Sequence, residues 1–163
     1  MKIRLFEDGD WPAVWGMLEP VFRAGTTYPH AMDISEEEAR RAWIDVPAHT
    51  YVAVEGGVVL GTYYLKPNSL ELGAHVCNCG YVVCAKARGR GVASAMCGHS
   101  HAEGARLGYR AMQYNLVVST NQVAVKLWQK HGMEIVGTLP GAFRHATEGY
   151  VDAYVMFKEL GGG

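Results

Sequence analysis

An apolar segment, His75-Val76-Cys77-Asn78-Cys79-Gly80-Tyr81-Val82-Val83, leads through a short connection into Arg88-Gly89-Arg90-Gly91 and then into the small and apolar residues Val92 to Met96. The first stretch is apolar at alternate positions on both faces, which predicts a central strand. The last begins a helix expected from about Gly91 to Leu107. The first amides of a helix have no internal partner, and the helix dipole places partial positive charge there. Glycine lets the backbone approach a bulky anion, and arginine adds forked donors suited to phosphate oxygens. The turn therefore reads as a cradle for a diphosphate. It lacks the Gly-Lys-Ser/Thr ending of a nucleoside-triphosphate loop and the spacing of a dinucleotide fingerprint. The plainer alternative is a tight strand-to-helix turn with surface arginines.

The rest of the chain supplies the frame. Lys2 to Phe6 reads as a strand, and Asp10 as the N-cap of a helix carrying Val14, Trp15, Leu18, Val21 and Phe22. A loop containing Tyr28 and His30 follows. Ser35 with Glu38 forms a capping box ahead of a second helix. Two β-branched and aromatic runs meet at Glu55-Gly56-Gly57 as a hairpin. After the central strand and its helix come a strand over Arg110 to Val118, a helix opened by Asn121, and two strands near Glu134 to Gly137 and Tyr150 to Phe157. The order β-α-α-β-β-β-α-β-α-β-β predicts a mixed α/β sheet with helices on both faces. Residues 1–160 are expected to form one domain, with 161–163 a disordered glycine tail.

Charge narrows the partners. The chain has 163 residues with 15 Lys and Arg against 16 Asp and Glu. That balance argues against general nucleic-acid or membrane-surface binding. No apolar run is long enough to span a bilayer and no signal peptide is evident, so a cytoplasmic location is expected. Cys77 and Cys79 should share one strand face as buried free thiols, and their spacing does not suit zinc, so no metal is expected. His99 and His101 lie two apart on a helix and do not share a face.

Arg88-Gly89-Arg90-Gly91-Val92-Ala93 resembles the Arg/Gln-x-x-Gly-x-Gly/Ala motif of the GNAT superfamily of acyltransferases. Asn121, Ala124, Leu127, Trp128 and Gly132-Met133 resemble that family's second signature, and the element order agrees over nearly the whole chain. The resemblance implies a mostly antiparallel sheet with two central strands splayed apart, and acetyl-CoA as co-substrate. It places the diphosphate on the amides of residues 88 to 93. The pantetheine arm would lie along the central strand at Val82 and Val83, one of whose N–H groups could polarise the thioester carbonyl. Asn121 would contact the cofactor or hold the site, and Trp128 stands where the family commonly has a tyrosine able to protonate the leaving thiolate.

A narrower likeness concerns the acceptor. Lys66-Pro67-Asn68, Cys77-Asn78-Cys79-Gly80-Tyr81, Asn115 and Asn121 look similar to the fungal proline-analogue N-acetyltransferases. That likeness implies a small-molecule amine as acceptor, an amino acid or cyclic imino acid among them. Asn78 would orient the acceptor or the reacting carbonyl, Asn115 would bind the acceptor's polar groups, and Tyr81 would line its pocket. Alternatively each Asn satisfies a bulge or a neighbouring backbone group. Because strict alternation sends Asn78 and Tyr81 to opposite faces, a shared pocket requires a bulge, expected at Gly80. Tyr28 and His145 are further acceptor-side candidates. His75, His145 or a water chain would take the amine's proton. Direct attack is preferred over an acyl-cysteine, since Cys77 and Cys79 have no activating neighbour in sequence. The rivals are a peptide or protein N-acetyltransferase and a non-catalytic acyl-CoA-binding module. Homodimerisation is what the family likeness adds.

Overall fold

The computed structural model describes residues 1–161, so positions 162 and 163 of the expected glycine tail lie outside the described residues. The elements are β1 (Lys2–Leu5), α1 (Trp11–Ala24), α2 (Glu36–Arg40), β2 (His49–Glu55), β3 (Val58–Pro67), β4 (Val76–Val83), α3 (Val92–Arg106), β5 (Ala111–Val118), α4 (Gln122–Lys130), β6 (Glu134–His145) and β7 (Gly149–Glu159). The order is the one read from the sequence. The seven strands form a single sheet, β1-β2-β3-β4-β5-β7-β6. All neighbours are antiparallel except β4 and β5, which are parallel.

Each face of the sheet buries its own core. Trp11, Val14, Leu18 and Phe22 of α1 and Trp43 beyond α2 pack on Val52 and Val82. Val92, Met96 and Cys97 of α3 and Val125 and Trp128 of α4 pack on Tyr63, Leu65, Cys77, Cys79 and Tyr114 from the other side. Cys77 and Cys79 do share that face, and both are buried free thiols.

Three local expectations are corrected. Asp10 precedes α1, but its carboxylate does not cap that helix. It accepts from the Glu7 amide at 2.9 Å and pairs with Arg4 at 2.7 Å, because the chain first makes a short helical turn over Asp8–Asp10. The penultimate strand runs to His145 rather than Gly137, since its pairing with β7 resumes at Phe143 after an irregularity spanning Pro140 and Gly141. The third correction concerns Gly80. The β3–β4 ladder is unbroken from Gly61↔Val83 to Pro67↔Cys77, with Gly80 opposite Tyr64. Gly80 is needed for a close approach instead: a Cβ there would lie 2.7 Å from Cε1 of the Tyr64 ring. The irregular residues are Asn115 and Leu116 on β5, where pairing with β7 shifts between Tyr114 and Val117. The capping box of α2 is present as read, with the Glu38 amide donating to Ser35 Oγ at 3.2 Å.

Candidate active site

The parallel pairing of β4 with β5 ends after Val76↔Ala111 and Cys77↔Met112. Beyond it the strands part, and a cleft of about 1080 Å³ opens between them. Asn78 marks the parting point. Its side chain is buried; Nδ2 donates to the Gln113 carbonyl at 3.0 Å, and Oδ1 accepts from the Tyr64 hydroxyl at 3.2 Å. The amide thus replaces the next rung of the ladder, which is the neighbouring-backbone role that the sequence left open. An unmet buried carbonyl there would cost about 1–3 kcal/mol.

Alternation decides which main-chain groups face the gap. The Cys84 amide donates to the Leu60 carbonyl at 2.8 Å and the Asn68 amide to the Val76 carbonyl at 2.8 Å, so the even-numbered residues of β4 bond to β3. The amides and carbonyls of Cys79, Tyr81 and Val83 therefore turn toward the cleft. Val82, expected on that edge, is committed to β3, and its side chain is buried against α1. The Tyr81 groups are already engaged: the Tyr28 hydroxyl donates to its carbonyl and accepts from its amide, each at 2.8 Å.

At one end of the cleft lie Arg88, Gly89, Gly91, Val92, Ala93 and Ser94. Gly89 and Gly91 have φ of +76° and +79°, a conformation that strains any residue with a Cβ, and the space where a Cβ would sit is open. Gly91 is the N-cap of α3, and no side chain caps the helix. The amides of Arg88 and Arg90 turn inward instead, to Ala85 and Ala87 carbonyls at 3.4 and 3.3 Å. The Arg90 guanidinium turns away as well, to an ion pair with Glu55, and Arg90 does not line the cleft. The expected six-amide cradle is thus corrected to the uncapped first turn of α3 with Gly89, Gly91 and Arg88. These residues fit a diphosphate: open backbone, free donors, one cation and no carboxylate.

The opposite end is lined by Tyr28, His30, Tyr64, Lys66, Asn78 and Asn115. Asn115 donates to Asn68 Oδ1 at 2.6 Å. Tyr81 serves two places: its backbone borders the cleft, while its hydroxyl is buried under α3, bonded to Ser100 at 2.6 Å and Tyr114 at 2.8 Å. With no bulge at Gly80, the Asn78 and Tyr81 side chains do not share a pocket. Trp128 lies tilted against the Tyr81 ring, centroids 4.7 Å apart, and forms part of the cleft wall. Asn121 caps α4 through Oδ1, 3.4 Å from the Ala124 amide, and also reaches the lining.

The proton acceptors named from sequence lie elsewhere. His75 is exposed and outside the lining. His145 borders a smaller hollow that adjoins the cleft at Thr26, Thr27 and Asn121, and does not itself line the cleft. Its Nδ1 accepts from the amides of Thr147 and Glu148, both at 3.2 Å, which commits that nitrogen to the β6–β7 turn. The imidazole that does line the cleft is His30, its ring tilted against Phe22 with centroids 4.7 Å apart. Burial, with Lys66 nearby, holds its pKa below the ordinary histidine value. The sequence placed His30 in the roofing loop but gave no sign that a β3 lysine faces it. The thiols, by contrast, are suppressed: burial pushes Cys77 up to about 12 and Cys97 to about 11, and Cys79 well above the usual range.

Comparison with known proteins identifies the family and the fold. The sequence pattern of the "Acetyltransferase (GNAT) family" matches residues 11–133. A GCN5-related N-acetyltransferase from Kribbella flavida superposes with a TM-score of 0.92 at 43% identity, covering 97% of this chain and 96% of that one. The N-acetyltransferase aca1 of Schizosaccharomyces pombe is 33% identical over 98 residues, 60% of this chain; the match spans 47% of that protein, about half its length. A phosphinothricin acetyltransferase from Sinorhizobium meliloti, solved with AcCoA, shares the fold with a TM-score of 0.86 at 18% identity, covering 99% of this chain and 89% of that one. No helix among the described residues is long and apolar enough to cross a membrane.

Proposed function

The chain belongs to the acetyltransferase (GNAT) family, an acetyl-CoA-dependent N-acetyltransferase class, and from that premise we propose that it acetylates the amine of a small molecule, with amino acids and cyclic imino acids foremost. The observation that carries this reading is the single cleft joining an uncapped helix N-terminus at one end to a polar pocket at the other, through a sheet opened at Asn78.

Acetyl-CoA supplies the acetyl group as an activated thioester. The free amides at the start of α3, with Arg88, bind its diphosphate. The main-chain groups of Cys79 and Val83 are the donors and acceptors offered to the pantetheine amides, as an added strand would use them. Asn78 holds β4 and β5 at the separation that admits the arm. Trp128 and Val123 wall the passage.

On the acceptor side the amine must be neutral to attack, and His30 is placed to take its proton at an imidazole nitrogen. Its depressed pKa keeps it unprotonated at neutral pH. The thiols of Cys77, Cys79 and Cys97 are held protonated and Cys84 lies outside the cleft lining, which favours direct attack on the thioester over an acyl-cysteine. The test is thiol release from acetyl-CoA across amino acids, cyclic imino acids, polyamines and peptides. Release with small amines supports the reading. Release only with peptides, or none with any amine despite binding, contradicts it.

A further inference from the structure

The residues lining the cleft include two basic side chains, Arg88 and Lys66, and no aspartate or glutamate. Arg88 belongs to the α3 end. Lys66 pairs across the ladder with Asn78, while Val83 pairs with Gly61 at the other limit of β4. Five residues of strand separate those positions, about 16 Å at the usual rise per residue. Lys66 is therefore far from the diphosphate cradle and stands at the acceptor end.

Its ammonium lacks an ionic partner and rests over the face of the Tyr64 ring. Among the described residues Lys66 makes no ion pair and no side-chain hydrogen bond; its Nζ lies 5.3 Å from the centroid of the Tyr64 ring. A half-buried lysine in a concave polar pocket, without a carboxylate to answer it, is a site for an external anion. The side chains around it share one face of the sheet. Tyr64 and Asn78 lie on that face through their mutual hydrogen bond, and His30 is close enough to feel the lysine's charge.

We infer that Lys66 is the specificity-determining residue of the acceptor end: its ammonium binds an anionic group, a carboxylate or a like oxyanion, on the amine that is acetylated. The assignment rests on the small-molecule acceptor reading above. It has two chemical consequences. An anion held at Lys66 fixes the acceptor's orientation, so that its amine projects toward the parting of β4 and β5. The same positive charge disfavours the protonated form of the neighbouring amine, the form that cannot attack. Polyamines, which bring further positive charge to a pocket with no carboxylate, are disfavoured on both counts.

The test uses the full chain and charge-matched probes: azetidine-2-carboxylate against its carboxamide, and alanine against alaninamide, with spermidine as the cationic probe. In the unaltered protein each carboxylate should have a kcat/KM at least about tenfold above its carboxamide, of the order expected for one charge-assisted contact. Lys66→Gln should remove that preference by raising KM for the carboxylates at least about tenfold more than for the carboxamides, compared at a pH above the acid limb of the rate. Lys66→Arg should retain it, and Lys66→Glu should invert it. A preference that survives Lys66→Gln, or a loss shared equally by both probes of a pair, overturns the assignment. Transfer to small amines without any preference for anionic ones also overturns it while leaving the acceptor reading intact. Transfer to none of them overturns the acceptor reading itself, and this assignment with it.

Discussion

The Tyr28 phenolic oxygen lies 2.8 Å from both the amide nitrogen and the carbonyl oxygen of Tyr81. One hydroxyl from the loop after α1 thus fills the rung that β5 vacates. It satisfies a backbone amide and carbonyl that the splayed sheet would otherwise leave unpaired. Burial pushes the phenol's pKa well above its ordinary value, so the group acts as a neutral hydrogen-bonding bridge.

That bridge occupies main-chain groups in the path of an arm lying along β4. Tyr28→Phe should lower the stability of the free protein by about 1 kcal/mol, one net hydrogen bond. The same quantity should reappear as tighter acetyl-CoA binding, roughly a fivefold fall in Kd, because the arm no longer displaces the hydroxyl. Thermal melts and calorimetric titration of the variant measure the two effects. An unchanged Kd would mean that the hydroxyl keeps its place when acetyl-CoA is bound.

Gly80→Ala places a methyl group 2.7 Å from a ring carbon of Tyr64. The ring must swing away, and its hydroxyl must leave Asn78. We expect a loss of about 2 kcal/mol in stability from overpacking. Acetyl transfer should fall by about tenfold or more as Asn78 loses its fixed orientation. Denaturant melts and steady-state rates measure these effects, and Tyr64→Phe should reproduce the rate effect without the overpacking.

The contrast between Gly80 and Asn78 shows how far the sequence could be read. Period and turn chemistry located the strands and helices, and the free amides at Gly91 follow from the glycine turn alone. The parity of β4 was legible too, and it already set Asn78 and Tyr81 on opposite faces. What no local pattern carries is which ring lies over a glycine. The Gly80 contact depends on Tyr64, a residue 16 positions away on β3. For the same reason His30 was legible as a loop residue but not as the imidazole facing Lys66, which is a meeting of two elements. Arg88 and Arg90 look equivalent in sequence; Glu55, on the β2–β3 turn, separates their roles.

The pH dependence of the rate should report His30. Lys66 on β3 is the charged group acting on it, Tyr28 flanks it on its own loop at 6.2 Å, and the Phe22 ring of α1 closes the third side. Its lowered pKa means that protonation, and loss of the base, begins only below the ordinary value of about 6.5. The acid limb of kcat/KM should therefore move up toward that value in Lys66→Gln, where the repulsion is gone. His30→Gln should lower kcat by about 10²-fold. A limb that stays in place in Lys66→Gln argues against His30 as the base.

Stability should have its own acid limb, set by His101. This buried imidazole accepts at Nδ1 from the Lys158 ammonium at 3.1 Å and faces Cys97 Sγ at 3.6 Å. Burial, followed by the charge of Lys158, lowers its pKa to about 4. The folded protein therefore resists a proton that the unfolded chain accepts. Its contribution is complete above about pH 6.5 and is lost as pH falls toward 4, on the order of 3 kcal/mol in total. His101→Asn should flatten the decline in unfolding free energy across that interval. An equally steep decline in the variant would assign the limb to other groups.

Binding of acetyl-CoA depends on the free amides at the start of α3, and calorimetric titration examines them directly. Heat of a single saturable site, weakened at least about tenfold by Arg88→Glu and unaffected by Arg90→Gln in a variant that keeps its fold, is the predicted result. No heat with either acetyl-CoA or CoA on folded protein, or equal affinity in Arg88→Glu, would contradict it.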